Sequence, residues 1–213
     1  MIVGKRMSHP LLTISPDMPI SEAISMMNTE KVRHLVVVEK NKLVGLVTKN
    51  VLESALPSKA TTLSIYELNY LIDKITVANV MVKDVFTADE AMPVEEAARI
   101  MADNKISCLP VLRGQEVVGI ITETDLFNIF LELLGARHSG VRFSAEISNE
   151  LGTIAKLSQA INSVGGDIIA FGTFAGETLS VSEVTVKVQG VDEKKLKQAI
   201  EPFITKLLNI RTV

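Results

Sequence analysis

Short apolar runs recur along the chain and predict small units of mixed strands and helices. Residues 35–38 and 43–47 are continuous apolar runs separated by a polar turn, as expected of strands buried on both faces. Before them, apolar positions from Ile20 to Met27 keep the spacing of one helix face. Pro19 and Glu22 suit the first turn of that helix.

This pattern occurs twice. Residues 7–52 align without a gap on residues 81–126, an offset of 74 positions, and Val44-Gly45 falls on Val118-Gly119. Each copy predicts the order strand, helix, strand, strand, helix, with the first strand at residues 11–13 or 85–87. A gapless register indicates two copies of one folding unit, each too small to bury its faces alone, so we expect the copies to pack together.

Residues 57–76 separate the two copies and carry an apolar stripe at helical spacing. The stripe consists of Leu63, Ile65, Leu68, Leu71 and Ile72. It predicts a helix packed on the pair, in preference to a helix that binds a partner.

The pattern changes after Gly135. Residues 141–147 and 181–188 alternate apolar and polar positions, as half-buried strands do. Between them lie a helical stripe that ends at Gly165-Gly166 and a strand-like run at 168–171. A second helix after Asp192 and a short strand at 210–213 complete the order strand, helix, strand, strand, helix, strand, which is the ferredoxin-like arrangement.

The repeat and two of its segments resemble a known family. With residues 33–38 (RHLVVV) and 119–126 (GIITETDL), it resembles a tandem pair of CBS domains, the Bateman module, over about residues 1–136. The resemblance implies a first repeat at 1–56, a helical linker at 57–76 and a second repeat at 77–136.

Residues 140–213 resemble an ACT domain, because Asn149 stands three positions before Gly152 at the first strand-to-helix turn. The fold class expected is therefore α/β (α+β), a tandem CBS pair followed by a ferredoxin-like βαββαβ ACT domain. The resemblance implies an amino-acid site at Asn149, Gly152 and Asp167, formed between two ACT domains in a homodimer. Leu151 departs from the usual proline, and Asp167 from a frequent asparagine. An Asx turn at Asn149 and a turn glycine at Gly152 are the alternative interpretation.

Thr122 and Asp125 form the strongest candidate site. They lie on one face at the start of a helix, where a carboxylate can accept both hydroxyls of a ribose and the helix N-terminus favours an anion. The CBS resemblance implies ribose recognition by Asp125, polar support by Thr122 and an adenine pocket. The adenine pocket expected consists of Val85, Thr87, Ile106 and Pro110. The alternative is a simple helix cap.

The two repeats differ at the matching positions. Val51 stands where Asp125 stands in the second repeat, and valine accepts no hydrogen bond. Arg33-His34 is replaced by Ser107-Cys108, which carries no charge. By resemblance, Arg33 and His34 would contact the ligand phosphate in the opposite site; alternatively, Arg33 is solvated and His34 is a structural residue. We expect one competent nucleoside site per chain, near Asp125.

Composition narrows the function classes. The net charge of −3 gives no electrostatic footprint for nucleic acid. With a single cysteine, no signal-peptide pattern and no apolar stretch of membrane-spanning length, the sequence predicts a soluble cytoplasmic protein. The three histidines are scattered, so we expect no metal site, and no nucleophile motif or phosphate loop predicts a catalytic residue.

The sequence thus predicts a non-catalytic regulatory sensor with no cofactor beyond its ligand. That ligand is AMP, ATP or S-adenosylmethionine, with an amino acid at the ACT interface as a second candidate. CBS and ACT domains joined in this way resemble bacterial acetoin-utilisation accessory proteins, which implies a regulated enzyme and a link to acetoin metabolism. The alternative is a dimerising structural or interaction module with vestigial ligand sites.

Overall fold

The computed structural model describes residues 1–56 and 74–213. They form two compact units, Met1–Leu126 and Phe127–Val213. The helix expected at 57–76, with its stripe of Leu63, Ile65, Leu68, Leu71 and Ile72, lies almost wholly outside the described residues.

The first unit contains two copies of a three-stranded sheet with helices. In each sheet the first two strands are parallel and the last two antiparallel. The first copy comprises β1 (Thr13–Ile14), α1 (Ile20–Thr29), β2 (His34–Glu39), β3 (Lys42–Thr48) and α2 (Lys49–Ser54). The second comprises α3 (Val77–Val80), β4 (Ala88–Asp89), α4 (Val94–Asn104), β5 (Cys108–Arg113), β6 (Glu116–Thr122) and α5 (Glu123–Leu133).

The first strand of each copy is shorter and later than the sequence predicts. Ile14 and Ala88 are buried and pair with Val37 and Val111, whereas residues 85–87 lie outside the strand and Phe86 is 50% exposed. Pairing with the neighbouring strand begins where a side chain can be buried, and in the second copy the preceding apolar residues Val85 and Phe86 line a cavity instead.

The core of the first repeat lies between α1 and its sheet. Ile20, Ala23 and Met27 are fully or almost fully buried against the strands, as the helical spacing predicts. In α4, Val94, Ala97 and Met101 repeat this pattern. Burial of these apolar faces is the main stabilising contribution to each copy.

Each repeat is completed by a segment of the other. The short helical turn Val3–Lys5 begins the first copy, but the Val3 N–H donates to the Met92 carbonyl, 2.9 Å, in the second. Correspondingly, the Val77 N–H donates to the Met18 carbonyl, 2.9 Å. Val3 and Val77 are both fully buried. We call residues 3–8 and 77–82 the exchanged segments; they interlock the two copies about a pseudo-twofold axis.

The second unit is a four-stranded antiparallel sheet in the order β10-β7-β9-β8 with two helices on one face. This strand order is that of a ferredoxin-like fold. Its elements are β7 (Val141–Ser148), α6 (Thr153–Ser163), β8 (Asp167–Ala175), β9 (Val181–Gln189), α7 (Glu193–Ile200) and β10 (Lys206–Thr212).

The last strand begins four residues before the predicted 210–213, because Lys206 already pairs with Glu146 of β7. Gly165, at φ 81°, follows α6 in the left-handed region, as expected of a glycine just past a helix end.

Candidate functional site

Asp125 is held at the start of α5 by a reciprocal cap. Its Oδ2 accepts from the Thr122 backbone N–H and from Thr122 Oγ1, both at 2.8 Å. Thr122 Oγ1 in turn accepts from the Asp125 N–H at 3.4 Å. Thr122 and Asp125 therefore form a helix cap, and the same bonds fix the direction of the carboxylate. Oδ1 is left facing Ser8, whose hydroxyl donates to it at 3.0 Å.

A cavity of about 210 Å³ is lined by the two side chains that bond this carboxylate, Ser8 and Thr122. Both repeats contribute to it, because the exchanged segment brings Ser8 against Ile120. The lining residues are Ser8, Lys31, Val32, Arg33, His34, Ile120, Thr122 and Thr124. We call this the Asp125 cavity.

Arg33 and His34 line the Asp125 cavity together with Thr122, as the sequence asymmetry suggested. Arg33 is exposed, whereas His34 is half-buried and its Nε2 lies 2.8 Å from Ser107 Oγ. Burial and the neighbouring Arg33 charge both lower the pKa of His34, which favours the neutral ring. In the cavity Arg33 therefore supplies positive charge, and His34 supplies a neutral hydrogen-bonding group.

A second cavity of about 210 Å³ is the pseudo-twofold counterpart of the first. Thr48 takes the place of Thr122, and Val82 that of Ser8. Its lining residues are Leu46, Thr48, Val82, Asp84, Val85, Phe86, Lys105, Ile106, Ser107 and Cys108. We call this the Val51 cavity, after the residue that follows the Thr48 cap.

Two of the four residues expected to form the adenine pocket beside Asp125 line a different cavity in the structure. Val85 and Ile106 line the Val51 cavity, Pro110 is buried in β5 opposite Ile120, and Thr87 precedes β4. The prediction took the adenine pocket and the carboxylate from the same repeat. In the structure, each cavity is lined by residues of both repeats, because the exchanged segments bring the two repeats together.

The equivalent positions on the Asp125 side follow from the offset of 74 between the repeats. They are Leu11, Thr13, Val32 and Val36, of which Val32 lines the Asp125 cavity. Ser8 and Lys31 also line it, and sequence reasoning missed both. The offset of 74 identifies which positions of the two repeats are equivalent, but it does not show which repeat contributes the residues of each cavity.

The chemistry of the Val51 cavity differs from that of its counterpart. Thr48 Oγ1 accepts from the Val51 N–H at 3.3 Å, but the Val51 side chain has no carboxylate that could accept hydrogen bonds from Thr48 in return. Cys108, in the position of His34, is buried, and burial raises the pKa of its thiol to about 12. The thiol is therefore protonated at neutral pH, as is typical of a buried structural cysteine.

A smaller polar cavity of about 140 Å³ adjoins Arg33 and His34. Thr48, Lys49 and Asn50 contribute its other wall, with Ser107 at one side. The Lys49 ammonium donates to Asn28 Oδ1 at 2.7 Å, and its backbone N–H donates to the Arg33 carbonyl at 2.9 Å. A second cation thus lies near Arg33.

In the second unit, the candidate amino-acid residues lie at two ends of the sheet. Asn149 follows Ser148, which pairs with the first residue of β9, whereas Asp167 pairs with Gln189, the last. The nine residues of β9 correspond to roughly 26 Å at about 3.3 Å per residue. Within one copy, Asp167 and Asn149 therefore cannot hold the same small ligand.

The Asn149 side chain is already engaged at the start of β9. Its side-chain N–H donates to the Leu179 carbonyl at 2.7 Å, and its Oδ1 accepts from Ser182. These partners lie about thirty positions away along the chain and not in the turn of Asn149 itself, so these two bonds are not those of an Asx turn. Gly152, at φ 86°, immediately precedes α6, as a turn glycine does, and Asp167 accepts from Gln189 at 2.7 Å.

Two negative findings apply to residues 1–56 and 74–213. Within these ranges no three His, Cys, Asp or Glu side chains cluster in a way that could hold a metal ion. Over the same ranges, no helix has the length and apolarity needed to cross a membrane.

The model of the CBS domain family matches residues 3–57 and 77–132, a little over half of the chain. The chain belongs to the CBS domain family. The matched ranges begin at the exchanged segments, so the repeat extends further toward the N-terminus than residue 7.

Curated relatives of this CBS pair include large enzymes. Inosine-5′-monophosphate dehydrogenase from Thermoplasma acidophilum is 36% identical over 115 residues, which is 54% of this chain and 20% of that enzyme. The enzyme of the same name from Methanocaldococcus jannaschii is 33% identical over 119 residues, 54% of this chain and 21% of the relative. The chain spans only about a fifth of the length of these relatives.

Solved structures with the same fold include CBS pairs and an acetoin-related protein. The CBS domain pair of protein MJ0100, in complex with 5′-methylthioadenosine and S-adenosyl-L-methionine, has 28% identity and a TM-score of 0.52, covering 65% of this chain and 98% of that one. A Vibrio cholerae protein described as an acetoin utilization protein (AcuB) has 28% identity and a TM-score of 0.53, covering 64% and 95%.

CBS pairs are generally regulatory modules, and the MJ0100 pair binds adenosine derivatives. The assignment of the second unit as an ACT domain stays a prediction.

Proposed function

We propose that this CBS pair is a regulatory module that binds an adenosine-containing ligand in the Asp125 cavity. The observation that carries the proposal is that Thr122, which fixes the Asp125 carboxylate, and the exposed cation Arg33 border the same cavity although they come from different repeats. A carboxylate accepts ribose hydroxyls, and a guanidinium binds a phosphate or carboxylate group.

The apolar side chains of the cavity support the nucleobase part of this proposal. Val32 and Ile120 offer surfaces for a flat apolar ring between the two polar ends of the ligand. AMP, ATP and S-adenosylmethionine all combine a ribose, an adenine and a charged end. The MJ0100 complex with two adenosine derivatives supports this ligand class.

Calorimetric titration with AMP, ATP, S-adenosylmethionine and 5′-methylthioadenosine tests the proposal. We expect one ligand to bind and Asp125→Asn to weaken it by at least about tenfold, because a neutral amide accepts fewer and weaker hydrogen bonds than a carboxylate. Asp84→Asn is the matched control, because it removes a carboxylate from the Val51 cavity. We expect it to leave the affinity unchanged.

Two results would refute this assignment. A greater loss of affinity with Asp84→Asn than with Asp125→Asn would move the ligand to the other cavity. Failure of all four compounds to bind the wild-type chain would favour the second candidate function, a dimerising interaction module with vestigial sites. The specific observation for that candidate is Val51, which leaves one of the two equivalent cavities without a capping carboxylate.

We propose further that the second unit is an ACT-type domain that binds an amino acid between two copies of the chain. The ferredoxin-like strand order supports this fold. Because Asn149 and Asp167 lie at opposite ends of one sheet, a shared ligand requires Asp167 from a second copy. This proposal is tested by light scattering, which measures the molar mass of the chain with and without each of the common amino acids. A chain that stays monomeric under all conditions contradicts the proposal.

The likeness to AcuB supports a regulatory target in acetoin or related carbon metabolism. Capture of interacting proteins by the full-length chain, with and without the bound nucleotide, would identify that target. A change in the activity of the captured enzyme on addition of the chain and its nucleotide would establish regulation, because the ligand must favour one of two states of the complex. If neither the chain nor its nucleotide changes the activity of the captured enzyme, that enzyme is not regulated by this chain.

A further inference from the structure

Ser8 occupies part of the surface that the proposed ligand needs. It lies at the end of the exchanged segment 3–8, where its backbone N–H donates to the Ile120 carbonyl at 2.8 Å. Its hydroxyl donates to Asp125 Oδ1 at 3.0 Å. In the Val51 cavity the equivalent residue is Val82, which has no hydroxyl, so this contact is present on one side of the pseudo-twofold axis only.

The hydrogen-bonding capacity of Asp125 is nearly used up. A carboxylate offers about four lone-pair positions. Two on Oδ2 receive the Thr122 N–H and hydroxyl, and one on Oδ1 receives Ser8. About one position therefore stays open to a ligand. One hydroxyl of a ribose can use it, but a pair of adjacent hydroxyls cannot.

We infer that Ser8 is a specificity-determining residue that competes with the second ribose hydroxyl for Asp125. A cis-diol is bound through both hydroxyls only after the Ser8 side chain rotates away from Oδ1. Rotation of the side chain suffices, because Ser8 is exposed and its backbone stays paired with Ile120. The native chain therefore distinguishes a ribose from a deoxyribose less sharply than Asp125 alone would.

This inference rests on the proposed function, since it assigns a role to Ser8 toward the ligand of the Asp125 cavity. Two ligand pairs test it: AMP with 2′-deoxy-AMP, and adenosine with 2′-deoxyadenosine. Dissociation constants are measured by calorimetry for the wild-type chain, Ser8→Ala and Ser15→Ala. Ser15 is the matched control, because it is an exposed serine of the first repeat that lines neither the Asp125 cavity nor the Val51 cavity.

We expect Ser8→Ala to tighten the binding of AMP and adenosine about three- to tenfold, the value of one regained hydrogen bond. The deoxy ligands, which need only the open position, should change by less than about twofold, a difference too small for one hydrogen bond. Ser15→Ala should leave the ribose-to-deoxyribose ratio at its wild-type value. A ratio that does not change in Ser8→Ala, or weaker binding of AMP in that variant, would overturn the inference.

The two proposals fail in distinguishable ways. If AMP and adenosine bind, Asp125→Asn removes the binding and Ser8→Ala changes both members of each pair equally, only the role of Ser8 is refuted. If neither ligand binds the wild-type chain or Ser8→Ala, the proposed function and the role of Ser8 are refuted together. Thermal melting of Ser8→Ala alongside provides the structural readout: a lowered melting temperature with an unchanged ratio identifies Ser8 as a residue that only stabilises α5.

Discussion

Met81 lies so close to Gly45 that a methyl group on Gly45 would stand 2.6 Å from the Met81 sulfur. The pseudo-twofold axis repeats the relationship between Met7 and Gly119. In both cases the methionine belongs to an exchanged segment and the glycine to the central strand pair of the other repeat. The absence of a side chain at these two glycines is what lets the copies interlock.

Gly45→Ala should therefore destabilise the first unit, by about 1–3 kcal/mol, because the added methyl overpacks the contact. Gly119→Ala should cost less. The three atoms nearest to its added methyl all belong to the Met7 side chain, which can move, whereas at Gly45 the three nearest include the Val82 backbone oxygen at 3.0 Å. Urea unfolding of both variants measures the difference. Equal losses, or a larger loss at Gly119, would contradict this explanation.

The repeat made much of the first unit predictable. The strand and helix order, the buried faces of α1 and α4, and the pairing of Thr122 with Asp125 all follow from local spacing. The exchange of residues 3–8 and 77–82 does not, because a gapless alignment says which positions are equivalent and not which copy they contact. Val85 and Ile106 were consequently grouped with Asp125, whereas in the structure they line the Val51 cavity.

His34 gives the first unit a defined pH dependence. Its pKa in the folded chain lies below the ordinary value of 6.5, mainly because of burial. Between these two values the unfolded chain binds more protons, so the free energy of unfolding rises with pH. The stabilisation from the neutral ring is complete above about pH 6.5 and is lost as the pH falls toward the folded pKa.

We therefore expect the wild-type chain to lose stability to urea between pH 7.5 and pH 5, and His34→Gln to lose less over the same interval. Glutamine keeps a polar group within reach of Ser107 but does not titrate. His9→Gln, an exposed position of the same unit, is the matched control and should keep the wild-type pH dependence. Identical slopes for His34→Gln and the wild type would refute this role of His34.

Lys187 illustrates where alternation along a strand misleads. The pattern of β9 assigns it to the solvent face, yet it is 5% exposed. Its ammonium donates to the Gly135 carbonyl at 3.0 Å, because the chain at Gly135 lies against this face of the sheet beside Ile169. The residue spacing within β9 cannot predict this burial, because the segment that covers Lys187 lies about fifty residues away in the chain.

Lys187→Ala should lower the free energy of unfolding of the second unit by about 2–4 kcal/mol, because it removes the buried stem and leaves the Gly135 carbonyl unpaired. Lys187→Met keeps most of the stem and should cost about half as much. Lys206→Met, on an exposed strand position, serves as the control and should be nearly neutral. Denaturant unfolding followed by circular dichroism measures all three; an Ala variant as stable as the wild type would show that the buried ammonium contributes nothing.

Val51→Asp should restore the missing carboxylate and add a second ligand site. The Thr48 cap and a cavity of equal size are already present, so the aspartate would have the partners that Asp125 has in Thr122. Calorimetry with the ligand identified for the Asp125 cavity should then change from about one to about two molecules per chain. The new site should bind more weakly, because Ser107 and Cys108 stand where Arg33 and His34 supply a cation and a hydrogen bond.

Val51→Leu, which adds no acceptor, should keep the wild-type stoichiometry. A single site in Val51→Asp, with the fold intact, would mean that the cation and not the carboxylate decides which cavity is used.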